Sequence, residues 1–345
     1  MTKRPQLAPR EREHLPAFVV TRGDARPRDQ RDLMERPFFS LSKSRRIAPI
    51  IYRAADVEVE VHGLPEHGMA TIWDADVLIW AASQIVEAHD AGQTTSRLMR
   101  FMPYQLLGAI GRSTGSTDYR LLKAALRRLQ STVVATTLRQ GEHWRRRQFS
   151  WINEWAELTN ARGRVEGMEF ILSDWFYRGV VDRSLVLSID PAYFRLTGGI
   201  ERWLYRVARK HAGRQPGGWV FEIAHLHAKS GSLARVSDFA LDLRRIAARQ
   251  ALPGYRLLID RQTGRERLRI LPAVTTISLP AQPVDGVGTS GAGGHGISGA
   301  RRSGDQAQHS QLNLWHDEEI HSRNLDSNLE SNSQGAPLGE WSRRR

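Results

Sequence analysis

Two stretches of this chain place apolar residues three or four positions apart, which is the period of a helix with one buried face. The first covers about 116–130 and the second about 235–250. The apolar positions are Tyr119, Leu122, Leu126 and Leu129 in the first stretch, and Val236, Phe239, Leu243 and Ile246 in the second. Both sets are spaced by three, four and three residues, so the pattern predicts two long amphipathic helices of the same design.

Shorter patterns predict the neighbouring elements. A helix is expected after Asp74 or Asp76, either of which can cap it, and another over about Ile200–His211. Short helices are expected after Pro103 and from Trp219. The predicted hairpins join Val133–Val134 to Phe149–Ile152 through a basic turn at 139–147, and Tyr255–Asp260 to Glu266–Leu271. Helix, short helix, turn, long helix and hairpin is the element order of a winged helix, and it occurs twice.

The two halves also align with each other. A shift of 117 residues superposes three apolar pairs: Leu122 on Phe239, Leu126 on Leu243 and Leu129 on Ile246. The same shift places the pair Arg127 and Arg128 on the pair Arg244 and Arg245. We interpret this correspondence as a duplicated module.

These patterns predict a helix-rich α+β protein with two tandem winged-helix domains between two tails. Residues 1–36 are rich in Arg, Pro and acidic residues and have no sustained apolar period, so we expect a disordered basic arm. The N-terminal winged-helix domain is expected at 37–160 and the C-terminal one at 161–272. Residues 273–345 are rich in Gly, Ser and Asn and are expected to form a disordered tail.

The charge balance indicates a polyanionic partner. The 345 residues include 50 Lys and Arg against 37 Asp and Glu, a formal net charge of +13. Most of the cations are arginine, whose planar fork suits phosphates and guanine edges. The absence of Cys excludes disulfides and thiolate chemistry. No stretch approaches the roughly 18 consecutive apolar residues of a membrane-spanning helix, so we expect an intracellular protein without a membrane anchor.

Basic side chains beside the two apolar stripes are the candidates for DNA contact. At 100° per residue, Arg120, Lys123 and Arg127 form one stripe beside the buried face of the first long helix. Such side chains can bond phosphates, or guanine O6 and N7 in the major groove. The predicted hairpins carry further arginines that could reach the adjacent backbone. The full predicted DNA-binding set is Arg120, Lys123, Arg127, Arg128, Arg139, Arg145, Arg146, Arg147, Arg235, Arg244, Arg245, Arg249, Arg261 and Arg265.

A nicking nuclease is an alternative hypothesis. His225-Leu226-His227 is similar to the His-hydrophobic-His signature of rolling-circle replication nucleases, where two histidines on one face of a strand bind a metal and a tyrosine attacks DNA. Tyr205 and Tyr255 are formally available. The repeat places the tripeptide on the short helix, however, where residues i and i+2 point about 200° apart. The histidines are therefore better explained as core or interface residues.

No other group of residues predicts catalysis. The phosphate-binding loop Gly-x-x-x-x-Gly-Lys-Ser/Thr is absent. Asp74, Asp76 and Asp174 lie where helix caps are expected, and Asp238 and Asp242 can pair with arginines on their own helix. We therefore predict a non-enzymatic protein with no catalytic residues, no metal and no cofactor.

Several segments resemble those of one protein family. They are Pro37–Lys43, Gly68–Asp74, Leu129–Thr132, Phe149–Trp151, Asp190–Phe194, Leu196–Gly199, Glu201–Tyr205 and Lys229–Ser232. On these residues the chain resembles the plasmid replication initiator protein A family of proteobacteria, from about Pro37 to Pro272. The resemblance implies an initiator that binds repeated duplex-DNA sites at a plasmid origin through tandem winged helices, helps to open the duplex and recruits host replication proteins.

The broader resemblance also implies exchange between a homodimer and a monomer, and a location in the bacterial cytoplasm with plasmid or nucleoid DNA. A winged-helix transcriptional repressor would carry the same basic residues. From the residues alone, this alternative stays open.

Overall fold

A computed structural model of the chain describes residues 14–21, 25–54, 57–139, 146–162, 165–213, 215–261 and 265–273. These residues form a mixed α+β fold, as the sequence predicts. Arg145 and the predicted tail from residue 274 onward lie outside the described residues, as do residues 1–13 of the predicted arm.

The helices and strands follow one another in mixed order along the chain. The helices are α1 Arg31–Glu35, α2 Ala75–Asp90, α3 Pro103–Ala109, α4 Ser116–Ser131, α5 Asp174–Val181, α6 Gly199–His211, α7 Ile223–Ser230 and α8 Val236–Arg249. The strands are β1 Phe18–Val19, β2 Arg28–Gln30, β3 Ile50–Ala54, β4 Val57–His62, β5 Leu98–Phe101, β6 Val133–Thr136, β7 Arg147–Ser150, β8 Ile152–Thr159, β9 Val165–Leu172, β10 Val186–Ser188, β11 Trp219–Glu222, β12 Tyr255–Asp260 and β13 Arg267–Pro272.

The helices predicted from the apolar spacing are confirmed. The two long amphipathic stretches form α4 and α8, and helices α2, α3 and α6 also lie where they are expected. One boundary is wrong: Trp219–Glu222 form strand β11, which pairs with β13, and helix α7 begins only at Ile223. Four residues are too few for periodicity to distinguish a strand from the first turn of a helix.

The same arrangement of elements occurs twice. We define the N-module as α2, β5, α3, α4, β8 and β9, and the C-module as α6, β11, α7, α8, β12 and β13. The N-module contains an antiparallel sheet in the order β5-β9-β8, extended on the β5 side by β1, and the C-module contains one in the order β11-β13-β12. In each module, the strand that precedes the helix pair therefore binds the second strand of the following hairpin.

The hairpin of the N-module differs from the predicted one. Strands β6 and β7 pair with each other, as predicted, but they continue a different sheet in the order β3-β4-β6-β7. The partner of β5 is β9, whose hairpin partner is β8. The predicted boundary between residues 160 and 161 falls in the turn of this hairpin. The first β-rich stretch after α4 is thus an insertion, which only strand pairing reveals.

The two modules align at a different shift from the predicted one. Strands β5 and β11 begin 121 residues apart, and the helices α3 and α7, like α4 and α8, begin 120 residues apart. A shift of 121 superposes buried Leu122, Ala125 and Leu126 on buried Leu243, Ile246 and Ala247. The predicted shift of 117 differs by four residues, which is about one helical turn. An amphipathic helix therefore matches almost as well in either register.

Helix α6 forms two buried ion pairs with earlier parts of the chain, one of which joins the two modules. Arg202 donates to Asp76 of α2 at 2.6 Å, and one turn later Arg206 donates to Asp29 of β2 at 2.7 and 3.1 Å. All four side chains are at most 3% exposed. Burial raises the pKa of Asp76 to about 6 and raises that of Asp29 above its ordinary value, while the paired arginines oppose both shifts.

The third contact of α6 is with the segment that precedes the N-module. Glu35 of α1 is fully buried and accepts hydrogen bonds from Lys210, His211 and Lys229. Burial alone would raise the pKa of Glu35, but the charge of Lys210 and the hydrogen bond from His211 hold it well below its ordinary range. Residues 28–36 are thus part of the fold, which corrects the disordered arm expected there from the sparse apolar pattern.

Candidate nucleic-acid interface

Helix α4 carries an exposed basic face opposite its buried side. Leu122, Leu126 and Leu129 are buried, whereas Arg120 and Arg127 are exposed on the far side of the helix. Neither arginine side chain has a hydrogen bond or ion pair with another residue in the described part of the chain. Seven residues separate them, so they lie two turns apart, about 10 Å along the helix axis. Both guanidinium groups are available to an external anion.

The other two cations predicted on this helix bind carboxylates within the N-module. Lys123 contacts Glu157 of β8 at 2.7 Å. Arg128 forms a bidentate pair with Asp74, at 2.7 Å for both hydrogen bonds. Asp74 directly precedes α2 and is buried, and it also accepts a hydrogen bond from the Thr71 backbone. Lys123 and Arg128 therefore hold α4 against the hairpin and the first helix, and their position favours a structural role over the predicted DNA contact.

Arg128→Ala is expected to lower the free energy of unfolding by about 3 kcal/mol, because it leaves the buried carboxylate of Asp74 without its charged partner. Urea denaturation followed by tryptophan fluorescence measures the loss. The matched control is Arg127→Ala on the same helix, whose exposed side chain should change stability by less than about 0.5 kcal/mol. Equal losses in the two variants would contradict a structural role for Arg128.

Helix α8, like α4, carries cations that bind carboxylates of its own module. Arg244 forms a bidentate pair with Glu266 beside β13, at 2.7 Å for both hydrogen bonds. Arg249 donates to Glu201 in the first turn of α6 at 2.5 Å. These arginines, predicted to contact DNA, are already bound to carboxylates of the C-module.

Two other candidates at this helix are more exposed. Arg245 is 64% exposed and makes a loose pair at 3.4 Å with Asp242 on the same helix. Arg235, immediately before the helix, is exposed, and its side chain has no partner among the described residues. An exposed pair such as Arg245 with Asp242 contributes little to stability. Both arginines can therefore bind a phosphate group.

The hairpin of the C-module carries the last two candidates of that module. Arg261 lies 3.4 Å from Glu266, and Arg265 lies 3.5 Å from Glu222. Together with Arg244 and Glu266, they line an open cleft of about 330 Å³. Both side chains are more than half exposed, so they remain accessible from solvent.

Arg139, predicted to contact DNA from the basic turn, is bound by other residues of the protein instead. Its guanidinium donates to Asp32, to Gln30 at 2.7 Å and to the Trp175 carbonyl at 2.8 Å, and it lies 3.8 Å from the centre of the Trp175 ring. A Cβ at Gly179 would meet this guanidinium at 1.9 Å, so only glycine leaves room for it. These contacts also hold Arg139 at a φ of 59°, a left-handed conformation that non-glycine residues rarely adopt.

Two other basic residues near this predicted turn, Arg146 and Arg147, lie at the inserted sheet. Arg146, immediately before β7, pairs with Glu58 and Glu60 of strand β4, which lies beyond β6 in the sheet. Arg147, the first residue of β7, is exposed. Arg145 lies outside the described residues. Arg146 and Arg147 therefore lie at the inserted sheet and outside the strands of the N-module.

Sequence reasoning missed one exposed cation in the N-module hairpin. Arg162 lies in the turn between β8 and β9, is exposed and has no side-chain partner in the part of the chain that is described. The sequence signal was available: Asn160 and Gly163 bracket Arg162 between two runs with β-forming residues. The Asn160 side chain accepts a hydrogen bond from the Arg162 backbone at 3.0 Å, which stabilises this turn.

The histidine pair lies on a helix, as predicted. His225 and His227 are both in α7, and His227 bonds the Ala234 carbonyl at 2.8 Å and packs its ring against Phe239. Within the described ranges, no three His, Asp or Glu side chains come close enough together to form a metal site. None of the described helices is long and apolar enough to cross a membrane.

Comparison with known proteins places this arrangement in a family. Residues 28–257 match the family described as "Replication initiator protein A". A protein of Wigglesworthia glossinidia brevipalpis named "Putative replication protein" is 30% identical over 230 residues, which cover 65% of this chain and 82% of that protein. The chain belongs to the replication initiator protein A family. It is thus a member of the plasmid replication initiator family that its sequence segments resemble.

Solved structures provide a similar fold. Crystal structures of domains 2 and 3 of RctB have TM-scores of 0.50 and 0.47 to this chain, at 14% and 12% identity. The first covers 67% of this chain and 94% of the RctB chain. At 14% identity, the likeness to the first of these structures supports the fold alone and says nothing of individual contacts.

Proposed function

We propose that this replication initiator binds repeated duplex-DNA sites at a plasmid origin through two winged helices, the N-module and the C-module. In this proposal α4 and α8 enter successive major grooves, while the hairpins grip the flanking backbone. The bound protein helps to open the duplex and recruits host replication proteins. It acts by binding, without catalysis of its own, in the bacterial cytoplasm.

The observation that carries the proposal is the exposed face of α4. A helix that reads the major groove needs long donors on the side opposite the core, and these donors must not be engaged by the protein itself. Arg120 and Arg127 meet both conditions. The β8–β9 turn with Arg162 supplies a further cation for the backbone beside the groove.

The ion pairs of α6 support a fixed spacing between the two modules. Arg202 and Asp76 belong to the first helices of the C-module and the N-module, so their buried pair connects the two directly. Two binding modules with a fixed separation favour DNA sites with a fixed spacing, as paired half-sites have. Repeated sites at an origin are a substrate of this kind.

The test is binding of the full chain to the repeat-bearing DNA beside its own gene, against scrambled DNA of equal length, at 50–300 mM salt. We expect a preference of at least about 10³ for the repeats and a steep loss of affinity with salt. Equal binding to both DNAs would contradict a sequence-specific initiator. Support of an otherwise replication-deficient plasmid by the gene and its adjacent repeats distinguishes an initiator from a repressor.

Exchange between a homodimer and a monomer is also part of the proposal. It is based on the broader resemblance of this chain to initiators with two winged helices. Light scattering of the full chain over a range of concentrations, with and without the repeat DNA, tests it. A change of mass with concentration or with DNA is expected. One fixed mass under all conditions would contradict the exchange.

A further inference from the structure

The two groove-facing helices are equivalent in their internal contacts. With the shift of 121 residues, Lys123 corresponds to Arg244, and each pairs with a carboxylate of its own module's hairpin region. Arg128 likewise corresponds to Arg249, and each pairs with a carboxylate at the start of its module's first helix. Each helix is thus anchored by two cations at positions 121 residues apart, which supports this correspondence of the two helices.

The exposed faces of the two helices carry different residues at equivalent positions. Arg120 corresponds to Leu241, and Arg127 corresponds to Ala248. Leu241 is 41% exposed and lies on the side of α8 opposite buried Leu243. The exposed arginines of α4 are therefore replaced on α8 by two apolar side chains that cannot donate a hydrogen bond.

The bases of the major groove offer different partners to these faces. Guanine presents two acceptors, O6 and N7, which suit arginine. The 5-methyl group of thymine is the apolar group in this groove, and it suits an aliphatic side chain. Arg235 and Arg245 are exposed near Leu241 along the chain, and their guanidinium groups can bond the phosphate backbone beside this apolar group. Two carboxylates lie on the same helix: Asp238 is exposed, and Asp242 pairs with Arg245 at 3.4 Å.

We propose that the two modules read different bases: the N-module reads guanine through Arg120 and Arg127, and the C-module reads thymine through contact of Leu241 with the 5-methyl group. This inference rests on the proposed function, because it assumes that α4 and α8 enter the major groove. It makes the bound site asymmetric, with guanine in the half-site of the N-module and thymine in that of the C-module.

The test begins with selection of bound sequences by the full chain from a random duplex pool. Each thymine of the selected site is then exchanged for uracil, which removes only the methyl group. At the thymine that contacts Leu241, we expect the exchange to weaken binding by about fourfold, as for one buried methyl group. Leu241→Ala should bind the thymine and uracil sites equally. The matched control is Leu64→Ala, an exposed leucine outside both modules that should leave the preference for thymine unchanged.

A second variant tests the correspondence with α4. Leu241→Arg gives α8 the residue present at the equivalent position of α4, and selection with this variant is expected to replace that thymine by guanine. Equal binding of thymine and uracil sites by the wild-type chain, or a uracil effect that persists in Leu241→Ala, would overturn the inference while sequence-specific binding remains. A pool in which the wild-type chain enriches no sequence would instead overturn the proposed function.

Discussion

Replacing Arg120 and Arg127 together by alanine is expected to weaken binding to the origin repeat by about 30-fold to 10⁴-fold. Each arginine contributes about 1–3 kcal/mol if it contacts a base. The two lie about 10 Å apart on the helix axis, so their contributions should add. Neither has an internal partner among the described residues, so the loss should appear in DNA binding and leave stability nearly unchanged. Fluorescence anisotropy with the repeat duplex and thermal unfolding of the same variants measure both quantities.

A charge-matched control separates this effect from a change in net charge. Arg178 of α5 is 70% exposed and pairs at 2.9 Å with Asp174 on its own helix, outside both modules. Arg178→Ala removes one positive charge and is compared with the single variants Arg120→Ala and Arg127→Ala, each of which also removes one. It should weaken binding to any DNA only slightly. If the double variant loses affinity equally for repeat and scrambled DNA, and the salt slope falls by about two, the arginines contact phosphates and the base-reading role is wrong.

Arg206→Ala is expected to lower the free energy of unfolding by about 3–5 kcal/mol, the largest effect on stability among these predictions. Arg206 and Asp29 are at most 3% exposed, and loss of the guanidinium leaves a buried carboxylate without its counter-charge. Replacing both partners, as in Asp29→Ala with Arg206→Met, should recover most of the loss, because no uncompensated charge remains. Urea denaturation of the wild type, Asp29→Ala, Arg206→Met and the double variant measures the coupling between the two residues.

The penalty in Arg206→Ala should also depend on pH. Burial already raises the pKa of Asp29, and loss of Arg206 should raise it further. Between the unfolded and folded pKa values, the folded protein then binds a proton that the unfolded chain does not bind, so stability decreases as pH rises through this window. We therefore expect the variant to be closer to the wild type at pH 5 than at pH 8. A penalty that does not vary with pH would contradict an uncompensated carboxylate at Asp29.

The basic residues of the candidate interface were predictable, but their internal partners were not. Spacing alone placed Arg120, Lys123, Arg127 and Arg128 on the helix that became α4. The partner of Arg128 is 54 residues away in the chain, and that of Arg249 is 48 residues away. Which cations remain available to DNA depends on such long-range pairs. Sequence patterns of a few residues contain no information about them.

The N-terminal segment illustrates a different limit. Residues 28–36 contain few apolar side chains, yet Leu33 and Met34 are buried and Asp29 and Glu35 pair with cations of α6 and its neighbours. A segment of this composition is typical of a disordered arm when it is read alone. Its order comes from charges on α6, about 175 residues further along the chain.

The sequence by itself determined the mixed α+β class, the positions of the main helices, the existence of two similar helix pairs and the family, because local periodicity and short segments carry this information. The tertiary structure alone decided which hairpin completes the N-module, the shift of 121 residues between the modules and which arginines are already paired. The reason is physical. A shift of one helical turn preserves an amphipathic pattern, so the pattern does not fix the alignment of the two helices. A strand or a guanidinium group binds a partner that is close in space, and separation along the chain does not predict which residue that is.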